Sequence, residues 1–325
     1  MRTTGPLHLG HLVGALHNWV ELQKTHECFF MAADLHALMG EYENPADIRE
    51  YTSQMILDWV ACGIHPENIF IQSQIPEHAE LALILGMITP LGWLERNPTY
   101  KEQLREIRGR DLTTYGFLGY PVLQAADILL YKANKVPVGE DQLAHLELTR
   151  EIVRRFKHLY KSDIFPEPEA ILAKEARILG TDRRKMSKSY GNAINLSDDE
   201  KTIRGKVQSM ITDPKRIKVS DPGHPEECNV FSYYNIFSGD RTLIENVHDW
   251  CSHAKKGCTD CKKTFADVLV QTLEPVRARR EESKQKNEGK MPIMDLIKNG
   301  QERAQKQARE TLSEVKRLLN LTEDA

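Results

Sequence analysis

Two short apolar runs, Cys28 to Ala33 and Asn68 to Gln72, stand between stretches of helical periodicity, and this alternation most narrows what the chain can fold into. Each run has the length of a buried strand. Leu12 to Thr25 and Ala46 to Gly63 carry apolar residues at helical spacing, the second opened by Asn44-Pro45, which reads as an N-cap followed by proline at the first helical position. Strands that alternate with helices pair in parallel, so the expected fold class is α/β, a doubly wound parallel sheet of Rossmann-like type. Ligands of such sheets bind at the carboxyl ends of the strands, where loops lead into helices. From about Ser197 the strand signals fade, and helical stretches are punctuated by Thr212-Asp213-Pro214 and Ser220-Asp221-Pro222-Gly223 turns. The expected division is therefore a sheet domain over 1–193 and an all-helical C-terminal domain over 194–325, with helices near the C-terminus able to pack back on the first.

A length of 325 residues suits two domains of ordinary size. With 40% hydrophobic and 28% charged residues, 15 Pro and 19 Gly, the composition excludes disorder, collagen-like repeats and coiled-coil arrays. The longest apolar run, Leu81 to Leu94, is broken by Pro90 and falls short of the roughly 20 residues a membrane helix needs. Met1 opens no signal-peptide pattern, so a cytoplasmic protein without a membrane partner is expected. The net charge of −3 is uneven: Arg183 to Lys218 holds ten Lys/Arg against four Asp/Glu, a net of +6 on a remainder of −9. Such a stripe suits a polyanion, although a solvated helix face has the same composition.

Two stretches carry chemistry. Gly5-Pro6-Leu7-His8-Leu9-Gly10-His11 precedes the first helix and puts two imidazoles one turn apart around a glycine, an arrangement suited to an anion at a helix N-terminus. Arg183-Arg184-Lys185-Met186-Ser187-Lys188-Ser189-Tyr190-Gly191-Asn192 spaces two lysines three residues apart among small hydroxyl residues, each lysine a point charge for phosphate oxygens. Asp127 stands among Ala125, Ala126, Ile128 and Leu129, where a charge needs a partner.

Together HLGH at 8–11 and KMSKS at 185–189 resemble the HIGH and KMSKS signatures of class I aminoacyl-tRNA synthetases. Tyr120 to Ala133 (YPVLQAADILLYKA), Val136 to Phe156 (VPVGEDQLAHLELTREIVRRF) and Gly180 to Asn192 (GTDRRKMSKSYGN) are similar to bacterial-type tryptophanyl-tRNA synthetases, and the resemblance extends over nearly the whole chain. It implies that the chain activates L-tryptophan with ATP and Mg2+, transfers it to tRNA(Trp), works as a homodimer and has no DNA partner. It further implies a catalytic domain over 1–193 and an anticodon-binding domain over 194–325. On these residues it implies that His8, Gly10 and His11 hold the ATP phosphates, that Gly139 and Asp141 receive the ribose, and that Lys185 and Lys188 steady the leaving pyrophosphate. His8, His11, Lys185 and Lys188 are then the catalytic set. Arg2, Thr3, Thr4, Glu140, Ile178, Met186, Ser187 and Ser189 complete the ATP site. Asp127 accepts from the indole N–H, while Tyr120, Gln124 and Gln142 finish the tryptophan site. A carboxylate accepts from a phenol as readily as from an indole, and Tyr120, Gln124 and Asp127 also fit the Tyr-x3-Gln-x2-Asp pattern of tyrosyl-tRNA synthetases, the close alternative.

Six cysteines are too few and too uneven for a disulfide framework. Cys228, Cys251, Cys258 and Cys261, with twenty-two, six and two residues between them, are compatible with zinc or an iron–sulfur cluster, and spacing does not choose. A subset of tryptophanyl enzymes that this pattern resembles carries a 4Fe-4S cluster, which is the reading the resemblance implies. Cys28 and Cys62 read as core residues. His253, Lys255, Lys256, Lys262 and Lys263, with the stripe from Lys201 to Lys218, would give that corner a positive face for tRNA.

The sequence departs from the family at its start. Seven residues precede His8, so Met1 to Thr4 are expected to supply the phosphate loop but not the buried strand before it. Either the natural start lies upstream or the strand is missing. The second case leaves a catalytically impaired relative that still binds tRNA or another RNA.

Overall fold

The computed structural model describes residues 1–98, 100–101, 113–172, 178–187, 190–288 and 293–322. Lys188 and Ser189 lie outside the described residues. The first helical stretch, α1, covers 9–22: an α-helical start at Leu9–His11, a π-helical turn at Leu12–Leu16 and a return to α-helix at His17–Leu22. Strand β1 (Phe30–Ala32) follows, then α2 (Asp34–Glu41), α3 (Ile48–Ala61) and strand β2 (Ile69–Ile71). These two strands pair in parallel, Phe30 opposite Ile69 and Ala32 opposite Ile71, as the alternation of strand and helix requires. Pro45 does stand at the first helical position, but that turn, Pro45–Asp47, is a 3-10 turn and Asn44 makes no side-chain cap bond.

Next come α4 (Glu77–Ile88), α5 (Leu91–Arg96), α6 (Tyr115–Leu129), strand β3 (Lys135–Val138), α7 (Leu143–Tyr160) and strand β4 (Glu169–Leu172). β3 and β4 form a second parallel pair around the crossover helix α7. Helix α6 begins five residues before the Tyr120-Pro121 step. The Thr114 hydroxyl accepts from the N–H of Phe117 at 3.2 Å and caps it, and Pro121 sits inside. The first residues do more than form a loop. Arg2 makes a parallel bridge to Ala33, whose N–H donates to the carbonyl of Met1 at 2.9 Å, so the chain start lies along the end of β1.

From residue 200 the described elements are helical: α8 (Glu200–Ser209), α9 (Asn229–Phe237), α10 (Arg241–Ser252), α11 (Cys258–Glu288), α12 (Ile293–Leu296) and α13 (Lys298–Leu318). Two apolar clusters hold the molecule. One joins Leu9, Leu16 and Trp59 to Tyr233, Tyr234 and Phe265, so α1 and α3 share a core with α9 and α11. The other joins Leu81, Leu85, Leu129 and Phe156 to Ala304, Ala308, Leu312 and Val315, which form one stripe of α13. Buried Asp58 of α3 accepts from Arg280 of α11 at 2.6 Å and reinforces the first junction.

Helix α13 also finishes the edge of β2. The Ile71 N–H donates to Gln301 Oε1 at 2.9 Å, and Gln301 Nε2 reaches the Ile71 carbonyl at 3.5 Å, so one side-chain amide supplies what a neighbouring strand would. Gly300 permits this approach. A Cβ there would stand 2.6 Å from the Pro66 carbonyl oxygen and closer still to that of Ile69. Gly300→Ala is therefore expected to destabilise the protein by about 1–3 kcal/mol, as overpacking against rigid backbone does. Urea unfolding is the measurement, and an unchanged midpoint would show that α13 does not rest on β2.

Candidate active site

The two signature stretches meet through backbone pairing. The Leu9 N–H donates to the Ile194 carbonyl at 3.0 Å and the Leu196 N–H to that of Leu7 at 2.9 Å, with His8 bridged antiparallel to Asn195. This draws the chain just after KMSKS alongside the start of α1. Met186, buried to 6% exposure, puts its sulfur at van der Waals distance from the position a Cβ would take on Gly10. Ile178 and Met186 share a cluster with Leu7 and Leu9. Within HLGH the His8 Nδ1 accepts from the Gly10 N–H and the His11 Nδ1 from the His8 N–H, both at 3.1 Å. Each ring, when neutral, thus carries its proton on Nε2, the tautomer that donates to a phosphate oxygen. Lys185 is exposed and has no carboxylate partner among the described residues, Ser187 is half-buried, and Thr4 is exposed. Thr3 is fully buried, and its hydroxyl finds no hydrogen-bond partner among the described residues.

Asp127, on α6, is the centre of the second half of the site. Its Oδ1 accepts from Gln72 Nε2 at 2.8 Å and His78 Nδ1 at 2.7 Å, and its Oδ2 from His36 Nε2 at 2.7 Å. Burial on its own would raise this carboxyl's pKa. His36 and then His78 outweigh it and hold the group well below the usual carboxylate range. His78 in turn lies 2.8 Å from the Tyr131 hydroxyl, a phenol that burial keeps protonated. Three donors occupy a carboxylate with about four acceptor positions, leaving one on Oδ2. None of His36, His78 and Gln72 was singled out from sequence. The rule that ligands gather at the carboxyl ends of strands would have found two of them, since His36 follows β1 and Gln72 follows β2.

Tyr120, two turns before Asp127 on the same face of α6, lies with its hydroxyl 2.7 Å from His145 Nε2, while His145 Nδ1 lies 3.1 Å from the Asn97 side-chain nitrogen. Burial pushes the Tyr120 phenol up to about 12, with Arg2 opposing and Asp141 reinforcing the shift. Arg2, Tyr120, Asp141 and His145 thus share one electrostatic neighbourhood. Gly139 follows β3, and Glu140–Gln142 form a 3-10 turn into α7, with Gln142 Nε2 donating to Asp141 at 2.8 Å. Glu140 is exposed, and Gln124 is half-buried one turn before Asp127.

Burial lowers His145 to a pKa of about 4, against an ordinary 6.5, so it is neutral at pH 7. A folded value below the unfolded one means stability that is complete above pH 6.5 and lost as pH falls toward 4. Between pH 7 and 4.5, wild type is expected to lose about 2 kcal/mol more than His145→Gln, measured by urea unfolding at both pH values. Parallel losses in the two proteins would mean that His145 is charged or solvated in the fold.

Cys228, Cys251, Cys258 and Cys261 line one space together with Val230, Val247, Trp250 and Arg216. No three His, Cys, Asp or Glu side chains among the described residues are arranged around a single metal-ion position. Burial raises the thiols of Cys228, Cys251 and Cys261, and their neighbouring sulfurs add to it. Arg216 donates toward Cys258 Sγ at 3.9 Å, and its Nε is buried with no partner among the described residues. Cys28 and Cys62 pack against the first apolar cluster, and burial takes the Cys62 thiol up to about 12. The basic stripe is less open than its composition suggests. Arg204 pairs with Glu200 and Asp267, Lys206 with Asp198, and Lys215 with Glu227. Lys255 and His253 share Asp249, Lys263 meets Asp260, and Lys256 sits over the ring of Trp250.

Comparison with known proteins accords with this geometry. The family tRNA synthetases class I (W and Y) matches residues 1–274. A tryptophan–tRNA ligase of Thermotoga maritima is 49% identical over 324 residues, covering 99% of this chain and 98% of its own. One from Aquifex aeolicus is 42% identical, with 99% and 98% covered. Among solved structures, the tryptophanyl-tRNA synthetase from Campylobacter jejuni complexed with ADP and tryptophan superposes with a TM-score of 0.89 at 29% identity, covering 98% of each chain. A tyrosyl-tRNA synthetase from Archaeoglobus fulgidus, at 20% identity and a TM-score of 0.64, shares the fold. Matched along nearly its full length by ligases of one specificity, and folded like them, the chain belongs to the tryptophanyl-tRNA synthetase family of the class I synthetases.

Proposed function

We propose that the chain joins L-tryptophan to tRNA(Trp) in two steps, and that the residues assembled around Asp127 and the two signature stretches carry the first. The tryptophan carboxylate, already an anion, attacks the α-phosphorus of ATP. A tryptophanyl-adenylate forms and pyrophosphate leaves; a ribose hydroxyl of the tRNA then attacks the acyl carbon, the acyl–phosphate bond breaks and AMP leaves, taking up the hydroxyl proton. No general base is needed for the activation. His8 and His11 donate to phosphate oxygens through Nε2, the Gly10 backbone lets the nucleotide approach, and Lys185 and Lys188 meet the charge that grows on the pyrophosphate. Met186, Ser187, Ser189 and Ile178 border the nucleotide with Arg2, Thr3 and Thr4, and Gly139, Glu140 and Asp141 receive its ribose. Mg2+ bound with ATP would neutralise phosphate charge. Tyr120, Gln124 and Gln142 hold the polar end of the amino acid.

The buried carboxylate of Asp127, with three donors and one acceptor position left on Oδ2, is the observation that carries the reading of an aromatic amino acid with one polar hydrogen. Indole N–H and phenol O–H both suit that position, and the tryptophan ligases matched along the chain favour the indole. Amino-acid-dependent exchange of pyrophosphate into ATP tests it. Tryptophan is expected to support exchange and tyrosine not. Asp127→Asn is expected to lower kcat/KM for tryptophan by about 10–10²-fold, as loss of a hydrogen bond to a buried charge does. Exchange with tyrosine, or undiminished selection of tryptophan by Asp127→Asn, would overturn the assignment. Binding of tRNA without exchange would identify the impaired relative instead.

The helical region 194–325 is assigned to the anticodon arm of the tRNA, and Cys228, Cys251, Cys258 and Cys261 to a 4Fe-4S cluster. The donor set is four thiols around one space that Val230, Val247, Trp250, Thr212, Asp213, Lys256 and Arg216 also line, the Arg216 Nε without a partner among the described residues. A Cβ on Gly223 would collide with Cys251 Sγ, so that wall is already drawn close. Zinc and a 4Fe-4S cluster both take four thiolates, and the resemblance of the cysteine spacing to cluster-bearing tryptophanyl enzymes favours the cluster. The bound group would supply a cross-link between the start of α9, the end of α10 and the start of α11. Replacing any one of the four by Ser is expected to remove iron and labile sulfide from anaerobically purified protein and to weaken tRNA charging. Adenylate formation survives at least in part. One zinc per chain without sulfide would refute the cluster.

The exposed apolar residues Leu83 and Met87, one turn apart on α4, and Leu91 at the start of α5 give a face for a second copy, in keeping with a homodimer. No helix among the described residues is long and apolar enough to cross a membrane, and the proposed reaction places the chain with its soluble tRNA in the cytoplasm.

A further inference from the structure

The main chain that presents Lys185 and Ser187 is held by a side chain to which the reaction gives no role. Asn192 is 2% exposed, and its amide is fully engaged. Its Oδ1 accepts from the Ser187 N–H at 2.9 Å, while Nδ2 donates to Asp182 Oδ1 at 2.7 Å and to the Lys185 carbonyl at 3.1 Å. One partner is a backbone donor and another a backbone acceptor, so the orientation of the amide is fixed by chemistry. The Asn192 backbone joins in, its carbonyl accepting from the Thr181 N–H at 2.9 Å. Gly191, at φ +63°, turns the chain so that Asn192 folds back beneath the loop, a conformation few other residues adopt.

Opposite Asn192 lies Gly180, where any Cβ would overlap the asparagine side chain. Its N–H donates to the Arg184 carbonyl at 2.6 Å, and its own carbonyl accepts from Asn229 Nδ2 at 2.8 Å. The Tyr233 hydroxyl donates to the neighbouring Leu179 carbonyl. Asn229 and Tyr233 stand one turn apart on α9, both essentially fully buried. A carboxylate at 192 could not donate to the Lys185 carbonyl, and an apolar side chain could neither donate nor accept. Only an amide satisfies all three partners.

We infer that Asn192 is a positioning residue for adenylate formation: it fixes the backbone at Lys185 and Ser187, and through Gly180 it anchors that loop to Asn229 and Tyr233 of α9. The inference rests on the assignment of Lys185 to the pyrophosphate, and the test separates the two. Pyrophosphate exchange is measured on the full chain, with tryptophan affinity by equilibrium dialysis and thermal unfolding alongside. Asn192→Ala is expected to lower kcat by roughly 10²-fold, the loss that a misplacement of about 1 Å produces. Tryptophan affinity stays within about twofold. Asn192→Asp sets a carboxylate against Asp182 and is expected to be at least as slow. Adding Asp182→Asn to it restores a donor and acceptor between 182 and 192 and is expected to recover about tenfold. Lys185→Ala is the control, expected to lose roughly 10²–10³-fold. A kcat within about threefold of wild type in Asn192→Ala, equal losses in kcat and tryptophan affinity, global unfolding of that variant, or no recovery in the double variant would each overturn the inference. If Lys185→Ala is also unimpaired, the assignment of Lys185 fails with it; if Lys185→Ala is impaired, the inference alone fails.

Discussion

The charge on Asp127 is the constraint around which the first half of the molecule is arranged. An ionised carboxylate at this depth is costly unless every side of it meets a donor. The donors come from separate elements: His36 from α2, Gln72 from the end of β2 and His78 from α4. One charge on α6 thereby sets the mutual placement of three other elements. It keeps a polar floor in a region otherwise packed with Leu81, Leu85 and Leu129. Polar networks of this kind give a core a unique arrangement only when every member is satisfied. Tyr131, behind His78, closes the network on its far side.

The boundary between the sheet region and the helical region runs through the site. Residues 194–196 are the pairing partners of Leu7, His8 and Leu9, so the passage from one region to the other is also the wall against which HLGH rests. Cys228 immediately precedes α9, whose first residue, Asn229, donates through its side chain to the Gly180 carbonyl. Ile211, one residue before the wall of the thiol-lined space, donates to the Thr181 carbonyl at 2.8 Å. Short contacts thus run from the start of α9 and from the segment bordering the thiol-lined space to the stretch that leads into Lys185.

Much of this was legible from the sequence because it rests on local chemistry. Short apolar runs bounded by helical periodicity gave β1 and β2 to within two residues, since a buried parallel strand has no other pattern. HLGH, KMSKS and Asp127 were visible because their residue types are costly or idle elsewhere. What stayed hidden depends on pairs far apart in the chain. His36 and His78 look like ordinary helix residues until Asp127 is placed beside them. Gly300 and Gln301 look like a weak spot in a polar helix until β2 lies against it. The basic stripe was overestimated for the same reason, because Asp267 and Glu227, which neutralise Arg204 and Lys215, lie outside it.

The seating of α13 on β2 has a consequence for biosynthesis. The edge of β2 is formed by residue 71, but its partner is residue 301, so 230 positions of sequence separate a strand from the side chain that completes it. A chain emerging from the ribosome at roughly 5–20 residues per second exposes that edge for more than ten seconds before the amide that covers it exists. The apolar stripe of Ala304, Ala308 and Leu312 arrives later still. During that interval the nascent first half carries an unpaired strand edge and an open groove, the features that recruit wrong partners. Its folding closes only once residues 301–312 have been made, so protection of the growing polypeptide falls to whatever binds such edges transiently in the cell.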